Sequence, residues 1–352
     1  MPSARYDFFK KFITNLFPFN QRESLSITYR KEYLTTKTPR HKSTKGDPRK
    51  LCLVDFVVGP STSERFLNQL NISAKQIRRF VFLSLIVVVA ALAIWSILIE
   101  PSRLVVHSES IRISRWPADL QNLKIVAIGD IHPGSPFIDE EKLRKIVALA
   151  NEQQPDIVVL LGDYMVREQF YRRVVDPEIT ASIVKDLKAS LGVYAVIGNH
   201  DWWFDGSRVR RAFESSGLRV LDNEVTELRK GDGVFWLVGL ADAWTRPQDI
   251  QGTFEKVTSD APVVVITHNP DSFVDLPANA TLMLAAHTHG GQVNLPLLGR
   301  LVVPSNFGQR FASGHVEENG KHLFVTTGIG TSILPLRFRV PPEIAVLTIN
   351  VR

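Results

Sequence analysis

The chain has a single cysteine, Cys52, among its 352 residues. One cysteine excludes an intrachain disulfide and a zinc site built on thiolates. Any bound metal must therefore be held by His, Asp, Glu or Asn. Acidic residues are scarce early in the chain: residues 1–79 hold 6 Asp and Glu against 16 Lys and Arg. Residues 80–352 reverse the balance, with 30 acidic against 26 basic. The net charge of +6 thus belongs to the N-terminal segment. No nucleic-acid-binding motif accompanies that charge. The segment reads as a solvated basic tail, or as a cytoplasmic tail lying on anionic lipid.

Charge is missing altogether from Phe80–Ile99, which reads FVFLSLIVVVAALAIWSILI. At about 1.5 Å per residue the run spans the roughly 30 Å hydrocarbon core of a bilayer. It is apolar on every side and sharply bounded by Arg78, Arg79 and Glu100. This predicts a transmembrane helix rather than the core helix of a soluble protein. The positive-inside rule keeps the basic tail in the cytoplasm and puts the remainder outside, a single-pass protein of the cell (inner) membrane. Arg78-Arg79-Phe80 also resembles a twin-arginine export signal. No small-residue cleavage site follows, so the segment reads as an uncleaved anchor. The expected organisation is a basic, largely disordered tail at 1–79 with pieces at 8–19 and 51–58 that could fold locally, a membrane helix at 80–99 and a globular domain at 112–352.

Within that domain, short apolar runs end at polar residues. Leu123–Ile128, Ile157–Leu161, Val193–Ile197, Phe235–Leu240, Val263–Ile266 and Leu282–Ala286 read as buried strands. Helical patterns intervene at Glu140–Gln153 and Glu168–Ser190, which makes the domain α/β. Five strands run directly into polar clusters. These are Asp130-x-His132, Gly162-Asp163, Gly198-Asn199-His200-Asp201, Thr267-His268 and His287-x-His289. Ligand sites in α/β sheets lie just past the carboxyl ends of strands, so five clusters in that position point to one convergent site. Two residues apart on a strand end, the paired side chains are expected to point the same way. Two divalent ions close together need a bridging carboxylate plus oxygen and imidazole ligands. This N/O donor set suits Mn, Fe, Zn or Co. Each element alone has a plainer reading as a turn or capping pair; the ordered set does not.

The order D-x-H, G-D, G-N-H-D, H, H-x-H resembles the calcineurin-like metallophosphoesterase superfamily over about residues 123–350. His287-Thr288-His289-Gly290-Gly291-Gln292 and Pro341-Pro342-Glu343-Ile344 are similar to its membrane-linked bacterial YkuE/YaeI-type branch. The resemblance implies a four-layer α/β/β/α sandwich of two mixed sheets. It implies that Asp130, His132 and His289 bind one ion, that Asn199, His268 and His287 bind the other, and that Asp163 bridges them. It makes His200 a non-ligand general acid oriented by Asp201. The reaction implied is hydrolysis of a phosphate mono- or diester by a water that the metals activate. The alternative is a lipid pyrophosphatase like the UDP-2,3-diacylglucosamine hydrolases, whose substrate lies on the cytoplasmic face. A non-catalytic scaffold would lack several ligands, whereas all seven are present here with His200. Thr267 and Ala286 stand where the family often has Gly, and no second acidic residue follows Gly162-Asp163.

Around these motifs, Trp202-Trp203-Phe204 reads as core packing or as an apolar wall for an acyl chain. Arg337 and Arg339 read as structural arginines or as phosphate contacts. His315 and His322 read as surface residues. The expected partners are a phosphate ester, lipid-linked or not, and the membrane, with no nucleic acid.

Overall fold

The computed structural model describes residues 73–166 and 174–352. The expectations for the tail up to residue 72, and for the start of the helix expected over Glu168–Ser190, lie outside the described residues. Helix α1 (Ala74–Ile94) begins at Ser73, whose hydroxyl accepts from Gln76 N–H while Gln76 Oε1 accepts Ser73 N–H at 2.7 Å. This reciprocal cap satisfies two donors that a helix start leaves open. The helix continues through a wide turn, Trp95–Ile99, and a tight one, Glu100–Ser102. Among the described residues it is the one helix long and apolar enough to cross a membrane. Among the described residues, none of α1 is buried.

The chain then forms β1 (Val105–Ile113), β2 (Leu123–Ile128), α2 (Glu140–Glu152), β3 (Ile157–Leu160), α3 (Pro177–Val184), β4 (Val193–Ala195), α4 (Asn199–Ser215), β5 (Arg219–Val220), β6 (Glu224–Lys230) and β7 (Gly233–Gly239). After these come α5 (Ile250–Phe254), β8 (Val263–Ile266), β9 (Ala280–Ala285), β10 (Asn294–Leu295), β11 (Gly299–Arg300), β12 (Gly314–Glu318), β13 (Lys321–Val325) and β14 (Glu343–Val351). Strand β1 begins ahead of the domain start expected at 112 and pairs along its whole length with β14.

Two mixed six-stranded sheets result, ordered β1-β14-β2-β3-β4-β5 and β12-β13-β9-β8-β7-β6. In the first, β2 to β5 are parallel and β14 runs antiparallel to β2. In the second, β7, β8, β9 and β13 are parallel. The sheets face each other across one apolar layer, which includes Ile125, Ala127, Val159, Leu237, Ile266 and Leu284. The alternate residues Val126, Ile128, Val158 and Leu160 pack outward against Leu143, Ile146 and Phe213 of the helices. A strand covered on both faces is apolar throughout, which is why the inner strands are visible as unbroken runs. Over the far face of the second sheet, Val265 and Met283 pack with Phe254, Phe273 and Phe311. The four layers match the expected sandwich.

Candidate metal centre

The loops after β2, β3, β8 and β9 and the first turn of α4 meet at one end of the two sheets. The Asp130-x-His132 and His287-x-His289 pairs do not sit on strand ends as expected. Asp130, His132, His287 and His289 lie past the last strand residues, with φ of 49°, 46°, 71° and 50°, and Asp163 has φ 59°. The paired side chains are brought together by left-handed turns, not by strand alternation. Such backbone costs of order 1 kcal/mol or more per residue and collects at functional sites. Backbone bonds hold it in place: Asp130 N–H donates to Gly162 O at 3.1 Å, His132 N–H to Asp163 O at 3.0 Å and Gly330 N–H to Asp130 O. Two glycines permit the approach. A Cβ at Gly162, itself at φ +92°, would lie 2.7 Å from Gly198 N, and one at Gly198 would lie 2.2 Å from Asp163 Oδ1.

All seven expected ligands converge, and all are buried. Asp163 Oδ2 lies 3.5 Å from His132 Nε2 and 3.3 Å from His268 Nε2, a central position. On one side, His132 Nε2 faces His289 Nε2 at 3.2 Å, and Asp130 Oδ1 is 3.9 Å from His289 Nε2. On the other, His268 Nε2 faces Asn199 Oδ1 at 2.9 Å and His287 Nδ1 at 3.1 Å. The far ring nitrogens are fixed: His132 Nδ1 donates to Met165 O at 2.8 Å and His268 Nδ1 to Leu161 O at 2.7 Å. Those bonds turn each Nε2 inward, as in metal-binding histidines. Asp130 Oδ2 and His287 Nε2 are buried with no hydrogen-bond partner among the described residues. Buried oxygen and imidazole groups gathered around Asp163, with an unpartnered carboxylate oxygen on Asp130, suit a cation, so the donor set fits divalent metal ions.

Burial and the Asp163 carboxylate divide the ligands by charge. Burial acts to lower His268, but the Asp163 carboxylate outweighs it and pushes His268 up to about 10. Burial acts to raise Asp163, yet His268, with His200 and His132, holds it well below the carboxylate range. Burial raises Asp130 to about 6. Burial, reinforced by His268, pushes His287 well down; burial with His132 and Arg337 does the same to His289. His287 and His289 kept neutral and Asp163 kept ionised are already in the forms that metals require, whereas His268 must give up its proton to bind one.

His200 stands at the same centre. Its backbone N–H donates to Asp163 Oδ1 at 2.9 Å, and its ring lies 4.7 Å from that of His132 and 5.0 Å from that of Trp203. Asp201 was expected to orient His200. The hydrogen bonds of its carboxylate go to backbone, accepting from Gly198 and Asp163 at 2.9 Å and from Tyr164 at 2.7 Å. Asp201 therefore pins the Asp163 turn to the start of α4. The aromatic triplet divides: Trp202 packs on the core, while Trp203 and Phe204 are exposed. Arg337 is fully buried and cannot meet a substrate. Its guanidinium donates to the carbonyls of Gly330, Val340, Thr327 and Gly328. The phosphate contact considered for it is thereby corrected to a clamp on the loop behind Asp130. Arg339 is exposed. His322 is buried and bonds His315 at 2.9 Å, which corrects its reading as a surface residue.

Two neighbours escaped the sequence reading. Trp244 is exposed, with its ring 4.3 Å from that of His287. Asp242, past the end of β7, is buried and accepts from Thr245 N–H at 2.9 Å and from its hydroxyl at 2.6 Å. A lone Trp or Asp after an apolar run carries no spacing signal. The position of Asp242 after a strand was the only clue.

Residues 123–291 match the model of a family described as calcineurin-like phosphoesterase. The chain is 29% identical to the uncharacterized metallophosphoesterase YkuE of Bacillus subtilis, over 72% of this chain and 87% of that one. It is 30% identical to the phosphodiesterase YaeI of Escherichia coli, over 67% of this chain and 85% of that one. A transmembrane protein with metallophosphoesterase domain from Danio rerio is 26% identical, over 74% of this chain and 60% of that one.

Proposed function

The chain belongs to the calcineurin-like metallophosphoesterases, in the branch of YkuE and YaeI, and from that premise we propose a membrane-anchored enzyme that hydrolyses phosphate mono- or diesters outside the cytoplasm with two divalent ions. Asp130, His132 and His289 would hold one ion, Asn199, His268 and His287 the other, and Asp163 both. Mn, Fe, Zn or Co would suit the donors. Bound there, the ions lower the pKa of a water and neutralise charge that builds on the phosphate oxygens. The observation that carries the reading is the inward convergence of buried imidazole nitrogens and carboxylate oxygens at Asp163, with Asp130 Oδ2 buried and without a hydrogen-bond partner among the described residues.

The chain's own residues then have distinct tasks. Asp163, held by backbone bonds on two sides, keeps the two halves of the centre in register. His200, tied to Asp163 through its backbone, delivers a proton to the leaving oxygen. Trp203 and Trp244, against His200 and His287, flank the site and receive the apolar part of an ester. Those walls also favour a second reading, a pyrophosphatase acting on an acylated substrate, over which the outward topology ranks the envelope esterase.

The test uses the purified full chain in detergent. Chelation should abolish turnover of p-nitrophenyl phosphate mono- and diesters, and Mn²⁺, Co²⁺ or Zn²⁺ should restore it. Turnover that survives complete chelation would sink the reading.

A further inference from the structure

The path from the membrane helix into the domain fixes where the metal centre stands. Strand β1 follows the helix, and its first residue, Val105, pairs with Glu343, the first residue of β14. Strand β14 runs antiparallel to β2, with Ala345 opposite Ala127. The helix therefore enters the sheet at the end where β2 delivers Asp130. The junction is tied down. Glu100, buried, accepts from Trp95 Nε1 and from Val340 N–H, both at 2.7 Å, and Arg337 N–H donates to Ser96 O at 2.9 Å.

Beside this junction two loops show apolar side chains to solvent. The β10–β11 hairpin carries Leu297 and Leu298 at its tip, with Leu301 just after it, and the 332–336 loop carries Ile333 and Leu334; all five are exposed. The loops are joined: Asn294 N–H donates to Phe338 O at 2.9 Å, and Gln292 Nε2 donates to Leu334 O at 3.2 Å. The hairpin is also joined to the metal loop, since Arg300 Nε donates to Gly290 O at 2.8 Å, next to His289. Leu297 and Ile333 both have left-handed backbone, with φ of 66° and 64°. Water-exposed turns with that backbone are normally filled by Gly or Asn, and a β-branched residue there is a true outlier. The backbone cost is the same in any solvent, but it holds these apolar side chains outward, where they are unfavourable in water and favourable in lipid. Arg103, stacked 5.6 Å from the Trp95 ring, and Arg339 are exposed at the same junction. Apolar tips with adjacent cations and an interfacial Trp are the composition of a membrane-surface contact.

We propose that the β10–β11 hairpin and the 332–336 loop insert into the same bilayer leaflet from which the helix emerges. They hold the metal centre over the lipid headgroups, so that its substrates are phosphate esters of membrane lipids. The continuity of these loops with the helix selects lipid as the occupant over a second copy of the chain. The inference rests on the anchored reading above, and its test separates the two.

The full chain with Cys52→Ser, reconstituted into phosphatidylcholine vesicles, carries one new cysteine at Leu297, at Val88 or at Asp232, labelled with an environment-sensitive fluorophore. Asp232 lies in the exposed turn before β7, at the opposite end of the strands. Each labelled protein is first checked for turnover of a soluble ester, which shows that it is folded. Brominated acyl chains should quench the labels at 297 and 88 and leave the label at 232 bright. Quenching at 88 with none at 297 overturns the hairpin contact while the anchor stands. Quenching at 297 with none at 88 supports the contact and removes the anchor. A label at 297 that is shielded from water yet not quenched by bromine indicates a second copy of the chain, and overturns the proposal. In ordinary vesicles, Leu297→Asp with Leu298→Asp should lower activity on an embedded phospholipid at least about tenfold, since burying even one of the two leucines is worth that much. Activity on a soluble ester should be unchanged. Equal losses on both substrates would also overturn it.

Discussion

The Nε2 of His268 lies 3.3 Å from Oδ2 of Asp163, and between them the metal-free protein stores a proton that an ion must displace. Because Asp163 raises His268 to about 10, His268 is protonated at neutral pH before metal binds. Binding there should release about one proton, and apparent affinity should rise about tenfold per pH unit between neutrality and that value. Burial raises Asp130 to about 6, so below that pH a second proton competes and affinity should fall more steeply. Calorimetric titration in two buffers of different ionisation enthalpy measures the release. Identical heats in both buffers would contradict it.

The carboxylate of Asp163 lies between the two halves of the centre, with Oδ2 3.5 Å from His132 Nε2 and 3.3 Å from His268 Nε2. Asp163→Ala should lose both ions and several orders of magnitude of turnover. Elemental analysis and steady-state rates on the same preparation check this. A variant that keeps two ions and near-normal turnover would rule out the shared bridge.

Arg337 is predicted to matter for stability. Its buried guanidinium satisfies four carbonyls of the 327–340 loop. Arg337→Ala strands those carbonyls and should cost about 3 kcal/mol or more. That corresponds to a fall in Tm of about 10 °C for a domain of this size. Arg337→Lys should not rescue it, because a compact ammonium cannot reproduce a planar fork. Arg339→Ala should change stability by less than about 0.5 kcal/mol. Equal shifts for Arg337→Ala and Arg339→Ala in thermal unfolding would remove the clamp.

The contrast between Arg337 and His268 shows where the sequence was legible. Strands β2, β3, β8 and β9 are buried on both faces, so their apolar runs stand out and their ends mark the site. His268 and its companions could be found by position and chemical type. Strand β1, half-exposed, shows no such run, and its pairing with β14 spans more than two hundred residues. The left-handed turns that aim Asp130 and His132 carry no signature, because even Asp and His, which tolerate that backbone better than most residues, adopt it in only a small fraction of positions. The burial of Arg337 depends on a loop whose carbonyls converge only in the folded chain. The apolar tips at Leu297 and Ile333 have no sequence signature, because short apolar runs in loops look like ordinary core.

The orientation of the anchor makes a separate prediction. The basic segment before the helix should remain in the cytoplasm. A reporter active only outside the cytoplasm, fused after Arg352, should then be active. Activity of a cytoplasm-only reporter at that position would reverse the topology and put the pyrophosphatase reading first.

The last prediction separates proton delivery from metal binding. His200 lies among the ligands: one ring nitrogen, a His132 nitrogen and an Asp163 oxygen all fall within 4.8 Å of one another. Geometry alone therefore suits a ligand or an acid, and the leaving group decides between them. General acid catalysis is worth about 10²–10⁴-fold. On an alkyl phosphate ester, whose leaving oxygen needs a proton, His200→Ala should lose activity within that range. On a p-nitrophenyl ester, which departs as a stable anion, the loss should be much smaller. Metal content should stay at the wild-type level in both assays, each run at saturating metal so that a weakened site is not mistaken for a missing acid. His200→Gln, which keeps a polar side chain but transfers no proton, should follow the alanine variant. Equal losses on the two esters together with metal depletion would make His200 a ligand, and the acid would then have to come from another residue or from solvent.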